Sequence, residues 1–212
     1  QLKEKYMITT IIFDYGNVIS LTNTGDCSAE MQKLTGVPAS VFQSVYERFR
    51  FEFDRGTISG AEMYKQLLLD DGYTEVAQNT KLMEKIARLD LESWKDFHQD
   101  VTEWGLSIQK QGYKLGILSN MPYEFLDLYE KDIPLFNKAD YACFSCRVKL
   151  IKPETAIYED CLKKLGSKPE ECVFFDDLQD NIDKANEIGI HGYVWKGLEQ
   201  AKKDWKTITK QS

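Results

Sequence analysis

Apolar positions along this chain follow two patterns in succession. Residues 9–13 form a short unbroken run of β-branched and apolar side chains, the signature of a strand buried on both faces. Residues 20–26 are polar and loop-like. From there to about residue 111 apolar side chains recur at three- and four-residue intervals. Glu30-Met31-Leu34 and Val41-Phe42-Val45-Tyr46-Phe49 show it first, then Met63-Leu67-Leu68, Leu82-Ile86-Leu89 and Val101-Trp104-Ile108. That spacing predicts helices. Arg55-Gly56-Thr57 and Asp71-Gly72 interrupt them, and Ser59 with Glu62 has the spacing of a capping box. The aromatic stripe Phe42, Tyr46, Phe49 and Phe53 reads as the core of a helical bundle.

After residue 112 the texture alternates. Strands are expected at 113–118, 141–145, 172–175 and 192–195, and helices at 123–129, 154–165 and 181–188. The last two of these helices are closed by Gly166 and Gly189. The tail from Gly197 reads as a Lys-rich surface helix that frays. Strands alternating with helices imply right-handed βαβ units. The fold class is therefore α/β, a Rossmann-like parallel sheet with helices on both faces, plus an inserted helical-bundle cap. On this reading residues 1–20 and 112–212 form the core domain and 21–111 the cap.

The length, 212 residues, is enough for one core and a small inserted domain. The net charge is −7 and no Lys/Arg block stands out, which argues against nucleic acid but allows a small phosphorylated ligand in a local basic pocket. No apolar run approaches a membrane span, and the first residues carry no signal-peptide core. Five cysteines, Cys27, Cys143, Cys146, Cys161 and Cys172, suit reduced thiols in a cytoplasm. Cys143-Phe144-Ser145-Cys146 matches C-x-x-C but has no second pair to complete a zinc site, and is expected to pack. His98 and His191 are expected to be structural. Oligomeric state is not legible.

Candidate chemistry gathers at the predicted strand ends, where open α/β sheets place their ligands. Asp14 closes the first strand. Leu118-Ser119-Asn120 puts a hydroxyl and an amide at the end of the second. Lys152 precedes Pro153-Glu154, with Pro153 expected in the first turn of the next helix, where the ammonium could act as a point charge on a phosphate. Asp176 and Asp177, with Asp180 and Asn181 following, concentrate hard oxygen ligands of the kind Mg²⁺ prefers.

In order, Asp14-x-Gly-Asn-Val, Leu118-Ser119-Asn120, Lys152-Pro153-Glu154 and Phe175-Asp176-Asp177-x-x-x-Asn181 resemble the four motifs of the haloacid dehalogenase superfamily. The resemblance spans about residues 8–196, and its first motif is similar to that of capped hexose-phosphate phosphatases. It implies that Asp14 is a nucleophile forming an aspartyl-phosphate. It also implies a Mg²⁺ held by Asp14, the carbonyl of Gly16 and Asp177, with Asp176 and Asn181 in support. Ser119, Asn120, Asn17 and Lys152 would hold the phosphate, with Lys152 also catalytic. The expected substrate is a small phosphomonoester of a soluble metabolite, selected by the loops around 22–26 and 49–55. One departure matters: where most phosphatases of the superfamily carry a general acid two residues after the nucleophile, this chain has Gly16. Two other readings stand beside the phosphatase, and Gly16 favours only the second. One is a dehalogenase in which Arg48 or Arg50 cradles halide, although both arginines read more simply as solvated surface residues. The other is a silent binding protein that kept the fold.

Overall fold

The computed structural model of the chain describes residues 7–21 and 27–211. Its centre is a five-stranded sheet in the order β3-β2-β1-β4-β5, with every paired neighbour parallel. The strands are β1 (Thr10–Phe13), β2 (Lys114–Ser119), β3 (Tyr141–Phe144), β4 (Cys172–Asp176) and β5 (His191–Val194). β1 is the middle strand, and its register sets Phe13 beside Ile117 on one side and Phe175 on the other. Beyond that register β4 runs one residue farther and β2 two, which brings residues distant in sequence to one edge.

Alternation along β1 divides the core between the two faces of the sheet. Ile12 joins Leu118, Cys143 and Phe174 under helices α12 (Thr155–Leu165) and α13 (Gln179–Glu187). Ile11 and Phe13 turn to the opposite face with Leu115, Ile117, Val173 and Phe175. Gly116 of β2 is required where α12 crosses the first face, since a Cβ there would stand 2.8 Å from Leu165.

Between β1 and β2 run α1 (Ser28–Thr35), α2 (Ala39–Gln43), α3 (Val45–Arg48), α4 (Arg50–Arg55), α5 (Gly60–Asp70), α6 (Thr74–Ala77), α7 (Thr80–Ser93) and α8 (Gln99–Lys110). Ser59 caps α5 as its spacing suggested, its hydroxyl accepting from Glu62 N. Of the aromatic stripe, Phe42 and Phe53 are buried, whereas Tyr46 is exposed.

Helix α8 departs from the expected boundary. Its Trp104 meets Phe13 edge-on at 5.5 Å and Phe175 at 6.0 Å, so it covers the sheet and does not belong to the bundle. The chain crosses back earlier, at an antiparallel bridge between Ser20 and Phe97. Leu21 N donates to Asp96 O and His98 N to Ile19 O, both at 2.8 Å, so the outgoing and returning chains lie side by side. A limit at residue 111 could not reveal this, because α8 has the same periodicity as its predecessors.

The remaining helices are α9 (Tyr123–Tyr129), α10 (Pro134–Lys138), α11 (Ser145–Val148) and α14 (Leu198–Gln211). The expectation that the tail frays on the surface is corrected: α14 buries Ala201 and Trp205, and Trp205 packs edge-on to Tyr113 at 4.9 Å. Cys143, Cys146, Cys161 and Cys172 are free thiols, and Cys143 and Cys146 are fully buried, as packing predicted. Among the described residues no helix is long and apolar enough to cross a membrane.

Candidate active site

The backbone leaving β1 makes a tight turn before it reaches the inserted helices. Asp14 N donates to Phe175 O at 2.9 Å, tying the carboxylate-bearing residue to β4. Tyr15 O then accepts from Ile19 N and Ser20 N at 2.9 and 2.8 Å. Asn17 takes φ 57°, a left-handed conformation that asparagine tolerates better than most side chains. Tyr15 OH donates to Trp94 O at 2.7 Å, which fixes the end of α7 over the turn.

Four charged groups meet at the carboxyl edge. Lys152 Nζ lies 2.9 Å from Asp14 Oδ1 and 2.6 Å from Asp176 Oδ2. Oxygens of Asp14, Asp176 and Asp177 all fall within 4.8 Å of one another. Lys152 is 2% exposed and Asp176 fully buried, so these charges interact in a weakly screened medium.

Burial raises the Asp14 carboxyl to about 7; Lys152 opposes that rise, while Asp176 and Asp177 add to it. Burial also disfavours charge on Lys152, yet Asp14 and Asp176 hold its ammonium above the ordinary lysine range. Asp177 is raised as well, chiefly by burial, with Asn17 opposing. One ammonium cannot neutralise three acids, and a divalent cation would complete the balance. Mg²⁺ suits oxygen donors of this kind. Asp14, Asp176 and Asp177 are the side chains placed to hold it, and the carbonyl of Gly16 accepts no hydrogen bond among the described residues.

Asp176 belongs to the same carboxylate cluster, where its neighbours brace it. Its oxygens accept from Lys152 Nζ, from Asn181 Nδ2 at 3.1 and 3.0 Å, and from Leu178 N at 2.8 Å. Asn17 donates to Asp177 Oδ2 at 2.8 Å, so its amide braces a carboxylate. Asn120, expected at the phosphate, has its amide engaged with the main chain of Lys152. Its Oδ1 accepts from Lys152 N at 2.8 Å and its Nδ2 donates to Lys152 O at 3.1 Å. Ser119, 2% exposed at the end of β2, makes no side-chain hydrogen bond among the described residues and keeps its hydroxyl available. Pro153 precedes the helix and does not lie in its first turn: Glu154 is the N-cap of α12.

Several groups around the edge escaped the sequence reading. Trp94 stands over Gly16, 3.7 Å from where a Cβ would be, and its buried Nε1 has no partner among the described residues. Arg50 is buried between Asp54, at 2.9 Å, and Asp90, at 2.8 Å, with the ring of Tyr46 4.9 Å from its guanidinium. Expected on the solvated surface or at a halide, Arg50 is thus already committed, and Arg48 pairs with Asp71 at 2.8 Å. The i, i+4 spacing of Arg50 and Asp54 was a signal in the sequence; the distant Asp90 gave none. His191 is structural, its ring at 3.0 Å from Glu170 O. The loop 22–26, expected to select substrate, lies outside the described residues.

A parallel sheet that gathers three carboxylates and one buried ammonium at its carboxyl edge defines an α/β protein that binds its ligand there. A model of the haloacid dehalogenase-like hydrolases matches residues 8–189, and the chain belongs to that family. Among curated relatives, mouse bifunctional epoxide hydrolase 2 is 22% identical over 93% of this chain. The chain spans only 38% of that enzyme's length. Phosphatase MT3486 of Mycobacterium tuberculosis is 22% identical over 88% of this chain and 87% of its own. Among solved structures, a predicted HAD-like family hydrolase from Porphyromonas gingivalis superposes with a TM-score of 0.73 at 23% identity, covering 95% of this chain and 98% of its own. A HAD family enzyme of Bacteroides thetaiotaomicron, in complex with magnesium and inorganic phosphate, gives 0.66 at 21% identity over 89% and 94%. A 2-haloacid dehalogenase from Pseudomonas syringae gives 0.63 at 19% identity over 90% of each chain. At these identities the structural likeness speaks for the fold.

Proposed function

We propose that this hydrolase is a Mg²⁺-dependent phosphatase of small phosphomonoesters, sugar phosphates among them, acting through an aspartyl-phosphate on Asp14. The observation that carries the reading is the pairing of Asp14 with buried Lys152, beside Asp177 and an unengaged Ser119 hydroxyl. The magnesium- and phosphate-bound structural neighbour and the phosphatase relative support it.

Asp14 attacks phosphorus while Lys152 Nζ and Ser119 Oγ donate to the phosphoryl oxygens, positioning them and stabilising developing charge. Asp176 and Asn120 keep Lys152 in place. Asp14, Asp177 and the Gly16 carbonyl would hold Mg²⁺, which would supply neutralisation of phosphoryl charge. Water then hydrolyses the acyl phosphate. The helices before the Ser20–Phe97 bridge act as a cap that closes on a small soluble metabolite, and the free thiols are in keeping with a cytoplasmic protein.

A dehalogenase would need a free cation for the halide, and Arg48 and Arg50 are both paired with carboxylates. The test is phosphate release from a panel of phosphomonoesters, sugar 1-phosphates included, with Mg²⁺ and with EDTA, beside Asp14→Asn. Metal-dependent turnover absent from the variant is expected. No turnover, with no thermal protection by Mg²⁺ and beryllium fluoride, would sink the proposal.

A further inference from the structure

Breaking the phosphorus–oxygen bond of an alkyl phosphate leaves an alkoxide, and Gly16 offers no proton to it. General acid catalysis is worth roughly 10²- to 10⁴-fold, so another donor at this edge would matter.

Asp54, in the last turn of α4, is 5% exposed and belongs to the inserted helices. Its backbone is pinned to the sheet edge: Ser145 Oγ donates to Asp54 O at 2.5 Å and accepts from Met121 N at 2.8 Å. Met121 follows Ser119 by two residues, and Ser145 follows β3 directly. Asp54 therefore sits against the ends of β2 and β3. Arg50 Nε binds Asp54 Oδ1, and the other carboxylate oxygen makes no hydrogen bond among the described residues. Arg50 is shared with Asp90 of α7, so it cannot fully neutralise Asp54. Burial raises the Asp54 carboxyl to about 6; Arg50 opposes that, Asp90 adds to it, and Lys152 of the sheet edge is near enough to lower it. A carboxyl so placed can both give and take a proton near neutrality.

We propose that Asp54 is the general acid and base of this site, supplied by the inserted helices in place of the side chain that Gly16 lacks. The assignment rests on the phosphatase reading. As the Asp14 oxygen bonds to phosphorus and the bond to the leaving oxygen breaks, the Asp54 carboxyl protonates that oxygen and the alcohol departs. The Asp54 carboxylate then takes a proton from water as the water oxygen attacks phosphorus. The Asp14–phosphorus bond breaks, leaving inorganic phosphate, free Asp14 and protonated Asp54.

The test varies the leaving group with the Mg²⁺-loaded full chain. Alkyl phosphates need a proton to depart, whereas the phenolate of p-nitrophenyl phosphate leaves unassisted. Asp54→Asn is expected to lose alkyl phosphate turnover by roughly 10²- to 10⁴-fold. It should still release about one nitrophenolate per site in a burst, because only hydrolysis of the acyl phosphate then wants a base. Adding Gly16→Asp to that variant should restore alkyl turnover, since a Cβ at 16 clears Trp94 by 3.7 Å and Asp14 by 4.0 Å.

Unchanged alkyl turnover in Asp54→Asn overturns the assignment, as does joint loss of burst and turnover that Gly16→Asp does not rescue. Gly16→Asp alone tests it with the Arg50–Asp54 pair intact. With Asp54 already serving, the gain on alkyl phosphates stays under about tenfold; a gain of roughly 10²- to 10⁴-fold overturns the proposal. A wild-type chain that hydrolyses no phosphomonoester with Mg²⁺ rejects the phosphatase reading itself, a result distinct from all of these.

Discussion

Asn120 and Lys152 grip each other twice, the side-chain amide of one matching the main-chain N–H and carbonyl of the other. The end of β2 thereby sets the height at which the Lys152 ammonium enters the carboxylate cluster. Asn120→Ala should lower kcat by up to about 10²-fold, the cost of misplacing a charge by about an ångström. Two lost hydrogen bonds at about 0.5–1.5 kcal/mol each should also lower Tm. Steady-state kinetics and a thermal melt on one preparation check both.

Lys152→Met removes the only cation that touches Asp14 and Asp176 among the described residues, while keeping the length of the side chain. Breaking a buried pair from one side typically costs about 3–5 kcal/mol. Part of that loss should be relieved below about pH 6, where Asp14 takes up a proton. Denaturant unfolding at pH 5.5 and pH 8 reads the difference; equal losses at both would contradict the charge argument.

Asp14 itself should weaken the metal-free protein above neutrality. Burial raises its carboxyl in the folded chain to about 7, from an ordinary value of 3.8. Between those values the folded state binds the extra proton, so stability falls as pH rises through the window. Asp14→Asn should therefore melt higher than wild type at pH 8, and the gap should shrink at pH 5. Saturating Mg²⁺ should raise the wild type at pH 8 by mass action and the variant much less. Calorimetry with and without EDTA decides it.

Gly56 lies where the inserted helices touch the sheet domain. It takes φ +74°, and a Cβ there would stand 2.8 Å from the Tyr123 ring. Around it Lys149 Nζ donates to Gly56 O at 2.7 Å, and Arg55 pairs with Glu154 at 2.7 Å. Gly56→Ala should cost about 1–3 kcal/mol through overpacking and backbone conformation. Amide exchange should quicken around residues 54–60 while β1 and β4 stay protected, as hydrogen-exchange mass spectrometry can show.

How much of this was legible depends on the range of the interaction. The strands announced themselves because residues buried on both faces form continuous apolar runs, and Asp14, Asp176 and Asp177 stood out at their ends. Local periodicity could not assign α8 to the sheet, since a helix facing a sheet and one facing a bundle carry the same stripe. Nor could it orient Asn120, whose amide at a strand end can face a ligand or the neighbouring main chain equally well. Arg50 was misread because an arginine is usually solvated, and the second acid that permits its burial lies forty positions away at Asp90.

The bridge between Ser20 and Phe97 has a thermodynamic corollary. Because departure and return occupy neighbouring positions, the sheet meets everything between them as it would a hairpin loop. Closing entropy grows only logarithmically with the length enclosed. The intervening helices can therefore be lengthened, shortened or exchanged at little cost to the β1 register. A graft at these two residues would exchange the inserted helices at a small entropic cost, provided the incoming segment again supplies Asp54 at the sheet edge and Trp94 over Gly16.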